Sequence, residues 1–368
     1  MKPTVTITVL PGDGVGPEVT RAAVRVLEAA MEMCDCELIL QEGLVGAAAL
    51  RATGQSLPAE TLRLCETSDA VLFGAVGDPD WVSTGDDRPE NAILELRRHF
   101  ELFANLRPVV CQPALVERTP FKAEIARQAD FLFVRELTGG LYFGERAEAT
   151  PTTPAFDTMI YEDHEIRRIT EVALRLAEDR RGLVTSIDKA NVLASMRQWR
   201  RVVEETATDN SRVRLEHHLV DSFATRILCD PGHFDVVLAP NLFGDILSDE
   251  AAALAGSLGL LPSASIGTGP FGLYEPVHGS APDIAGIGVA NPIGAILSVA
   301  LMLRYTLGLE YGAGWIEKAV DDALAEGFAT PDLATNPLDA DSTGGLTDVI
   351  LSHLEARFLD SSMPWMVV

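Results

Sequence analysis

The sequence predicts an α/β protein, a mostly parallel sheet covered by helices. Three observations carry that expectation. Short apolar runs alternate with stretches of helical spacing along most of the chain. Hydrophobic residues make up 47% of the 368, enough for a sizeable core. No repeat, low-complexity tract or obvious linker interrupts the alternation, so the length suits two domains or one large α/β unit.

Thr4–Leu10 reads as a strand, followed by the turn Pro11-Gly12-Asp13-Gly14-Val15-Gly16. A helix opens there with Pro17 at its first position, where the missing N–H costs nothing. Ala70–Ala75 is a second β-like run, and Glu90–Phe103 carries helical spacing at Ile93, Leu94, Leu96 and Phe100. Asp163 precedes an amphipathic helix (Ile166, Ile169, Val172, Leu176) that stops at Arg180-Arg181-Gly182. Strands at Leu183–Ile187, near Val213–Val220 and at Val236–Ala239 alternate with helices, the last starting around Phe243. A Gly/Pro-rich stretch from Pro262 to Pro292 leads to helices near Ile293–Leu307, Trp315–Glu326 and Thr347–Leu359.

The formal charge is −25, from 29 basic and 54 acidic residues. A surface this acidic works against binding nucleic acid or an anionic membrane. Only Lys2, Lys122, Lys189 and Lys318 are lysines, so each repays individual attention. Five cysteines with no C-x-x-C pair fit neither a disulfide framework nor a zinc knuckle, and suit a reducing cytoplasm. Thr4–Leu10 is too short for a signal-peptide core, and the longest apolar run, Pro292 to Arg304, falls short of a membrane span. A soluble cytoplasmic protein is expected.

The glycines of the 11–17 turn fall at i, i+2 and i+4, whereas a dinucleotide fingerprint needs i, i+2 and i+5. A Rossmann site is therefore disfavoured. In Asn241-Leu-Phe-Gly-Asp245-Ile-Leu-Ser-Asp249, two carboxylates four apart share a helix face and repel. A hard divalent cation would resolve that conflict, while a solvated acidic face is the plainer reading. Lys189 ends an apolar strand, the position where open α/β sheets hold ligands, and suits either a proton shuttle or a surface ion pair. Arg97, Arg107 and Arg135 each sit among apolar neighbours; together they would suit a dicarboxylate, singly an ordinary ion pair. Tyr142 follows the flexible Gly139-Gly140 pair.

Together the segments PGDGVGPEV (11–19), LFANLRP (102–108), VRELTGGLYFGE (134–145), TSIDKANVL (185–193), NLFGDILSDEA (241–251), GSLGLLPSAS (256–265) and GLYEPVHGSAPDIAG (272–286) resemble the β-decarboxylating dehydrogenase family of isocitrate and isopropylmalate dehydrogenases. The resemblance implies an isopropylmalate dehydrogenase-like fold: two α/β domains around a central sheet, with a non-Rossmann cofactor site. It further implies one domain from residues 1–103 and 256–368, another from 104–255 carrying the dimer interface, an arm and the metal site. Carried over by position, Arg97, Arg107 and Arg135 would bind the malate carboxylates, with Ile93 and Leu94 around the isopropyl branch. Asp221, Asp245 and Asp249 would hold Mg²⁺ or Mn²⁺, Asp221 also touching substrate. Tyr142 and Lys189 would be the acid–base pair. In the family Lys189 and Asp221 enter from the partner subunit, so a homodimer with shared sites is implied. Glu90, the loop His278, Gly279, Ser280, Ala281, Pro282 and Asp283, and Asn291 would hold NAD. Asp283 would repel a 2′-phosphate, and no Lys or Arg lies between His278 and Asn291 to accommodate one.

The implied reaction is NAD-dependent oxidative decarboxylation of 3-isopropylmalate in leucine synthesis. A sister enzyme for another 3-substituted malate or for tartrate is the alternative; Ile93 and Leu94 favour an alkyl branch over the third carboxylate of isocitrate. A non-catalytic regulatory subunit is the other, disfavoured because Tyr142, Lys189, Asp221, Asp245 and Asp249 are all present. Two departures stand out: Ser222 where the family usually has Asn, and Ala239-Pro240 where a threonine and a polar residue are common.

Overall fold

The computed structural model describes residues 2–81 and 87–362. Strand β1 (Thr4–Gly12) enters the Gly-rich turn and continues as helix α1 (Gly16–Met33). Then come β2 (Glu37–Glu42), α2 (Gly46–Thr53), α3 (Ala59–Glu66), β3 (Ala70–Ala75), α4 (Asn91–His99) and β4 (Ala104–Val110). The middle of the chain supplies α5 (Ala123–Ala126), β5 (Asp130–Glu136), the short pair β6 (Arg146–Ala147) and β7 (Phe156–Asp157), α6 (Asp163–Glu178), β8 (Leu183–Asp188) and α7 (Ala194–Ala207). It closes with β9 (Arg214–Leu219), α8 (Val220–Cys229), β10 (Val236–Ala239) and α9 (Asn241–Ala255). The last third gives β11 (Pro262–Ile266), β12 (Gly272–Pro276), α10 (Ile293–Tyr305), α11 (Glu310–Ala325) and α12 (Thr343–Ser362).

One ten-stranded sheet runs β2-β1-β3-β12-β11-β4-β5-β10-β8-β9. Its two wings are parallel, and its centre, β12-β11-β4-β5, is antiparallel. The alternation of strands and helices therefore holds, and the inner parallel strands β3 and β10 read as continuous apolar runs because helices cover them, while the edge strands β2 and β9 carry polar residues. β3 and β8 are buried at every position.

Two segments differ from the sequence reading, and a third gives shape to the expected arm. The helix expected over Glu90–Phe103 stops at His99, because Glu101 adopts φ +50 and turns the chain into β4. The stretch from Pro262 to Pro292 begins with two strands, β11 and β12, paired antiparallel with Pro262 opposite Pro276. Between Gly139 and Tyr161 the chain forms the exposed β6–β7 pair, with Phe156 and Ile160 in solvent.

The Gly-rich turn packs one loop against another. Gly14 lies at φ +59, and a Cβ there would stand 1.9 Å from the Ser280 carbonyl oxygen. Val15 N–H donates to that same oxygen at 2.8 Å. The buried Asp13 carboxylate accepts from the N–H groups of Ala47, Ala48 and Gly77 at 2.9, 2.9 and 3.0 Å, tying the turn to the start of α2. No helix among the described residues is long and apolar enough to cross a membrane.

Candidate active site

Arg107 on β4 and Arg135 on β5 reach the first two turns of α9, which begins right after β10. Asp245 is the meeting point. Its Oδ1 accepts from Arg135 Nη1 and, at 3.3 Å, from Arg107 Nη2, while its Oδ2 accepts the Tyr142 hydroxyl at 3.1 Å. Arg107 also donates to Asp249 Oδ1 at 3.1 Å, to Ser248 Oγ at 2.7 Å and to Asn105 Oδ1 at 2.7 Å. Arg97, in the last turn of α4, donates to Glu275 Oε1 at 2.9 Å and keeps a buried Nε with no partner.

Packing three guanidiniums together has an electrostatic consequence. Burial, then the neighbouring charges of Arg107 and Arg97, lowers Arg135 to about 10, with Asp245 opposing. Burial pushes Asp245 up, but Arg135 and Arg107 more than offset it and hold the carboxyl below its usual range. Asp249 goes the other way: burial, aided by the charge of Asp245, raises its carboxyl despite Arg107. Burial first, then Asp245, raises the Tyr142 phenol. A cationic pocket with two crowded carboxylates is thus open to an anionic ligand and to a hard cation at once. The donor set, Asp245 and Asp249 one helical turn apart, fits magnesium or manganese.

Lys189 and Asp221 form a separate pair. Lys189, just past β8, donates to Asp221 Oδ2 at 2.6 Å, and this bond is the main reason the Asp221 carboxyl is lowered. Neither residue hydrogen-bonds or ion-pairs with Asp245, Asp249 or Tyr142 in this chain. Ser222 gives its N–H to Asp221 Oδ1 at 3.0 Å.

The branch candidates diverge. Leu94 lines a cavity of about 450 Å³ with Tyr142, Phe143, Arg98 and Arg146, whereas Ile93 is buried in a core cluster with Val45, Phe73 and Leu96. In the 278–283 loop, His278 Nδ1 lies 2.8 Å from Gly279 O, and its buried Nε2 has no partner. Ser280 is buried, Gly279, Pro282 and Asp283 are exposed, and Ala281 takes φ +38. Glu90 Oε1 and Ser280 Oγ lie 3.2 and 3.5 Å from where a Cβ on Gly77 would stand. Asn291 is committed to the fold: its Nδ2 donates to Asp332 at 3.1 Å and its Oδ1 accepts from Ile293 N–H at 3.0 Å. An orphaned imidazole nitrogen beside an exposed acidic loop suits the hydroxyl-rich end of a dinucleotide.

Sequence reasoning missed the supporting cast. The buried Asn241 accepts from Arg135 Nε and Nη2 at 3.2 and 2.9 Å and donates to Gly139 O at 3.2 Å. Tyr161 OH accepts from Asn241 N–H at 2.9 Å. Glu275 and Ser248 do the same for Arg97 and Arg107. A polar residue inside an apolar run, as at Asn105, is the signal that could have found some of them.

The family model for isocitrate/isopropylmalate dehydrogenase matches residues 6–350. A 3-isopropylmalate dehydrogenase of Heyndrickxia coagulans is 50% identical over 351 residues, covering 95% of this chain and 96% of that protein. One of Geobacillus kaustophilus is 52% identical over 332 residues, 89% of this chain and 90% of that protein. Among solved structures, isocitrate dehydrogenase from Methylococcus capsulatus superposes with a TM-score of 0.84 at 32% identity, covering 95% of this chain and 99% of that one. The chain belongs to the isocitrate/isopropylmalate dehydrogenase family.

Proposed function

We propose that this chain oxidises 3-isopropylmalate with NAD and releases CO₂, giving 4-methyl-2-oxopentanoate for leucine synthesis in the cytoplasm. The observation that carries the reading is the convergence of Arg97, Arg107 and Arg135 beside Asp245 and Asp249, a pocket matched to a dicarboxylate. Each guanidinium can hold a carboxylate in bidentate fashion once substrate competes for its nitrogens.

Asp245 and Asp249, with Asp221 of the partner subunit, would hold magnesium or manganese, which polarises the C2 oxygen for hydride transfer. NAD, held by Glu90, Asn291 and the loop His278–Asp283, would accept the hydride. Lys189 of the partner subunit takes the C2 hydroxyl proton. The C–C bond to the leaving carboxylate then breaks, its electrons passing to the new carbonyl. Tyr142, a phenol that is protonated at neutral pH and that burial and Asp245 raise further, delivers a proton to the carbon. That Lys189 and Asp221 bond to each other and not to Asp245, Asp249 or Tyr142 supports a homodimer in which each site draws on both copies. Residues 1–103 with 256–368, and 104–255, are the two domains of this reading; they would meet at the antiparallel centre of the sheet.

Leu94, facing the cavity beside Tyr142, takes the isopropyl branch, and its burial contributes roughly 1–3 kcal/mol of discrimination. The test is NADH production by purified protein with a divalent cation and a panel of 3-isopropylmalate, 3-methylmalate, isocitrate, homoisocitrate and tartrate. Highest kcat/KM with 3-isopropylmalate is expected. A higher value with any other acid would overturn the substrate, and one with NADP equal to NAD would overturn the role of Asp283.

A further inference from the structure

Away from these aspartates, Glu216, His218 and His233 bring one ligand atom each within 4.8 Å of one another. Glu216 and His218 are two apart on the edge strand β9 and so share a face. His233 comes from the turn between α8 and β10. His233 Nε2 lies 2.7 Å and His218 Nε2 3.4 Å from the same oxygen, Glu216 Oε1. Thr185 Oγ1 on β8 donates to that oxygen too, at 2.9 Å. Phe223 and Phe234, both fully buried, stand edge-on to the His218 ring, with centroids 6.4 and 5.8 Å away.

We propose that Glu216, His218 and His233 form a second metal site, for a borderline divalent cation of the zinc, cobalt or nickel class. Two imidazoles and a carboxylate are a preferred donor set for such ions, whereas the oxygen-only aspartate set suits magnesium or manganese. Without an ion the cluster is held by hydrogen bonds: Glu216 Oε1 accepts from His233 and Thr185, and His218 Nε2 stands farther off. Arg226 Nη1 lies 3.4 Å from His218 Nε2, so that nitrogen, when neutral and unprotonated, has its single lone pair available to Arg226 or to an ion. A cation would replace the proton that His233 shares with Glu216 and give both Nε2 atoms and the carboxylate a common partner. Arg226 is half-exposed and has Asp230 within 3.9 Å to turn towards when the ion enters. Thr185 then orients the carboxylate from behind, and the phenylalanines wall off water, as outer partners of metal ligands do. The ion would clamp β9 to the turn after α8, so both ends of the helix that carries Asp221 are held.

The test uses metal-stripped full-length protein in excess Mg²⁺, which occupies the aspartates. Co²⁺ is titrated in and followed by its visible ligand-field absorption, and Zn²⁺ by displacement of Co²⁺ and by thermal shift. Wild type and Asp245→Asn should each bind one Co²⁺ with a nitrogen-ligand spectrum and melt higher with Zn²⁺. His218→Gln and His233→Gln should weaken binding by more than about 10²-fold, and Thr185→Val by about tenfold. Circular dichroism and Mg²⁺-dependent activity without Zn²⁺ should match wild type in the histidine variants, which separates lost ligands from lost fold. No spectrum and no thermal shift in wild type would overturn the site. So would histidine variants that bind like wild type, or binding abolished by Asp245→Asn.

Discussion

Gly14→Ala tests whether the Gly-rich turn serves the cofactor through the 278–283 loop. At φ +59 an alanine carries left-handed strain of about 1–2 kcal/mol. Its Cβ would stand 1.9 Å from the Ser280 carbonyl oxygen, so the loop must retreat by at least about 1.5 Å to reach ordinary contact. The Val15 N–H to Ser280 bond goes with it, at about 0.5–1.5 kcal/mol. Together these cost about 1.5–3.5 kcal/mol, a fall in Tm of about 2–4 °C for a chain this long. A displacement of that size in a binding loop can cost up to about 10²-fold, so KM for NAD should rise at least about tenfold, with KM for the hydroxy acid changed far less. Gly54→Ala is the control: it has the same kind of backbone, φ +81, but nothing within 4 Å of its Cβ, so it should lower Tm slightly and leave KM alone. A Gly14→Ala enzyme that melts lower yet keeps its KM for NAD would refute the placement of the cofactor on this loop.

Asp249→Asn should stabilise the metal-free protein at neutral pH while abolishing turnover and the thermal shift given by Mg²⁺ or Mn²⁺. Burial, with Asp245, raises the Asp249 carboxyl in the folded state. Its ionisation therefore costs stability increasingly as pH rises from its unfolded value of about 3.9 through the folded one, and the cost is complete above that. The variant's Tm advantage should vanish near pH 3; an advantage that persists there would show that charge is not its cause. Salt should raise Tm, because a net charge of −25 repels itself and cations screen it; a steady fall from low salt to about 1 M KCl would remove the idea. Co-refolding the inactive Arg97→Ala and Lys189→Ala chains should return about a quarter of wild-type activity if sites are shared, since a mixed dimer then carries one intact site. No recovery above the parents would mean that each chain holds a complete site.

The helical covering and the parallel wings of the sheet were legible, because alternating apolar runs and amphipathic helices leave a local signature. The sheet order was not, since it rests on pairings such as Leu106 with Ala264, which lie far apart in sequence. β11 and β12 were hidden for a related reason: with prolines at their paired ends and glycines near, they read as loop until their partners are known. In the site, the three arginines stood out as charges amid apolar residues. Their partners did not. Glu275 is 178 residues from Arg97, and Asn241 is 106 from Arg135, so nothing local couples them. Ile93 and Leu94 show the remaining gap: both lie on α4, but which one faces the cavity depends on how that helix is rotated against the core.

The hydrogen bonds of the site also tie cation and substrate affinity together. Arg107 gives Nε to Asn105, Nη1 to Ser248 and Asp249, and Nη2 to Asp245. Arg135 gives Nε and Nη2 to Asn241 and Nη1 to Asp245. Of these three guanidiniums, Arg97 alone keeps a buried nitrogen with no partner. In the proposed reading, a divalent cation on Asp245 and Asp249 would change that: carboxylates that face a cation would no longer need both guanidiniums, whose nitrogens would turn to the substrate. The two ligands must then help each other by the same factor, in the usual range of about 5–150-fold. Calorimetry of the hydroxy acid, with NAD absent so that nothing turns over, should give a Kd that tightens by such a factor when Mg²⁺ is added, and the Mg²⁺ Kd should tighten equally with the acid. In Asp245→Asn the coupling should shrink. Equal substrate affinity with and without the cation would mean that the arginines hold the aspartates and the substrate independently, and the pairing seen here would have no bearing on binding.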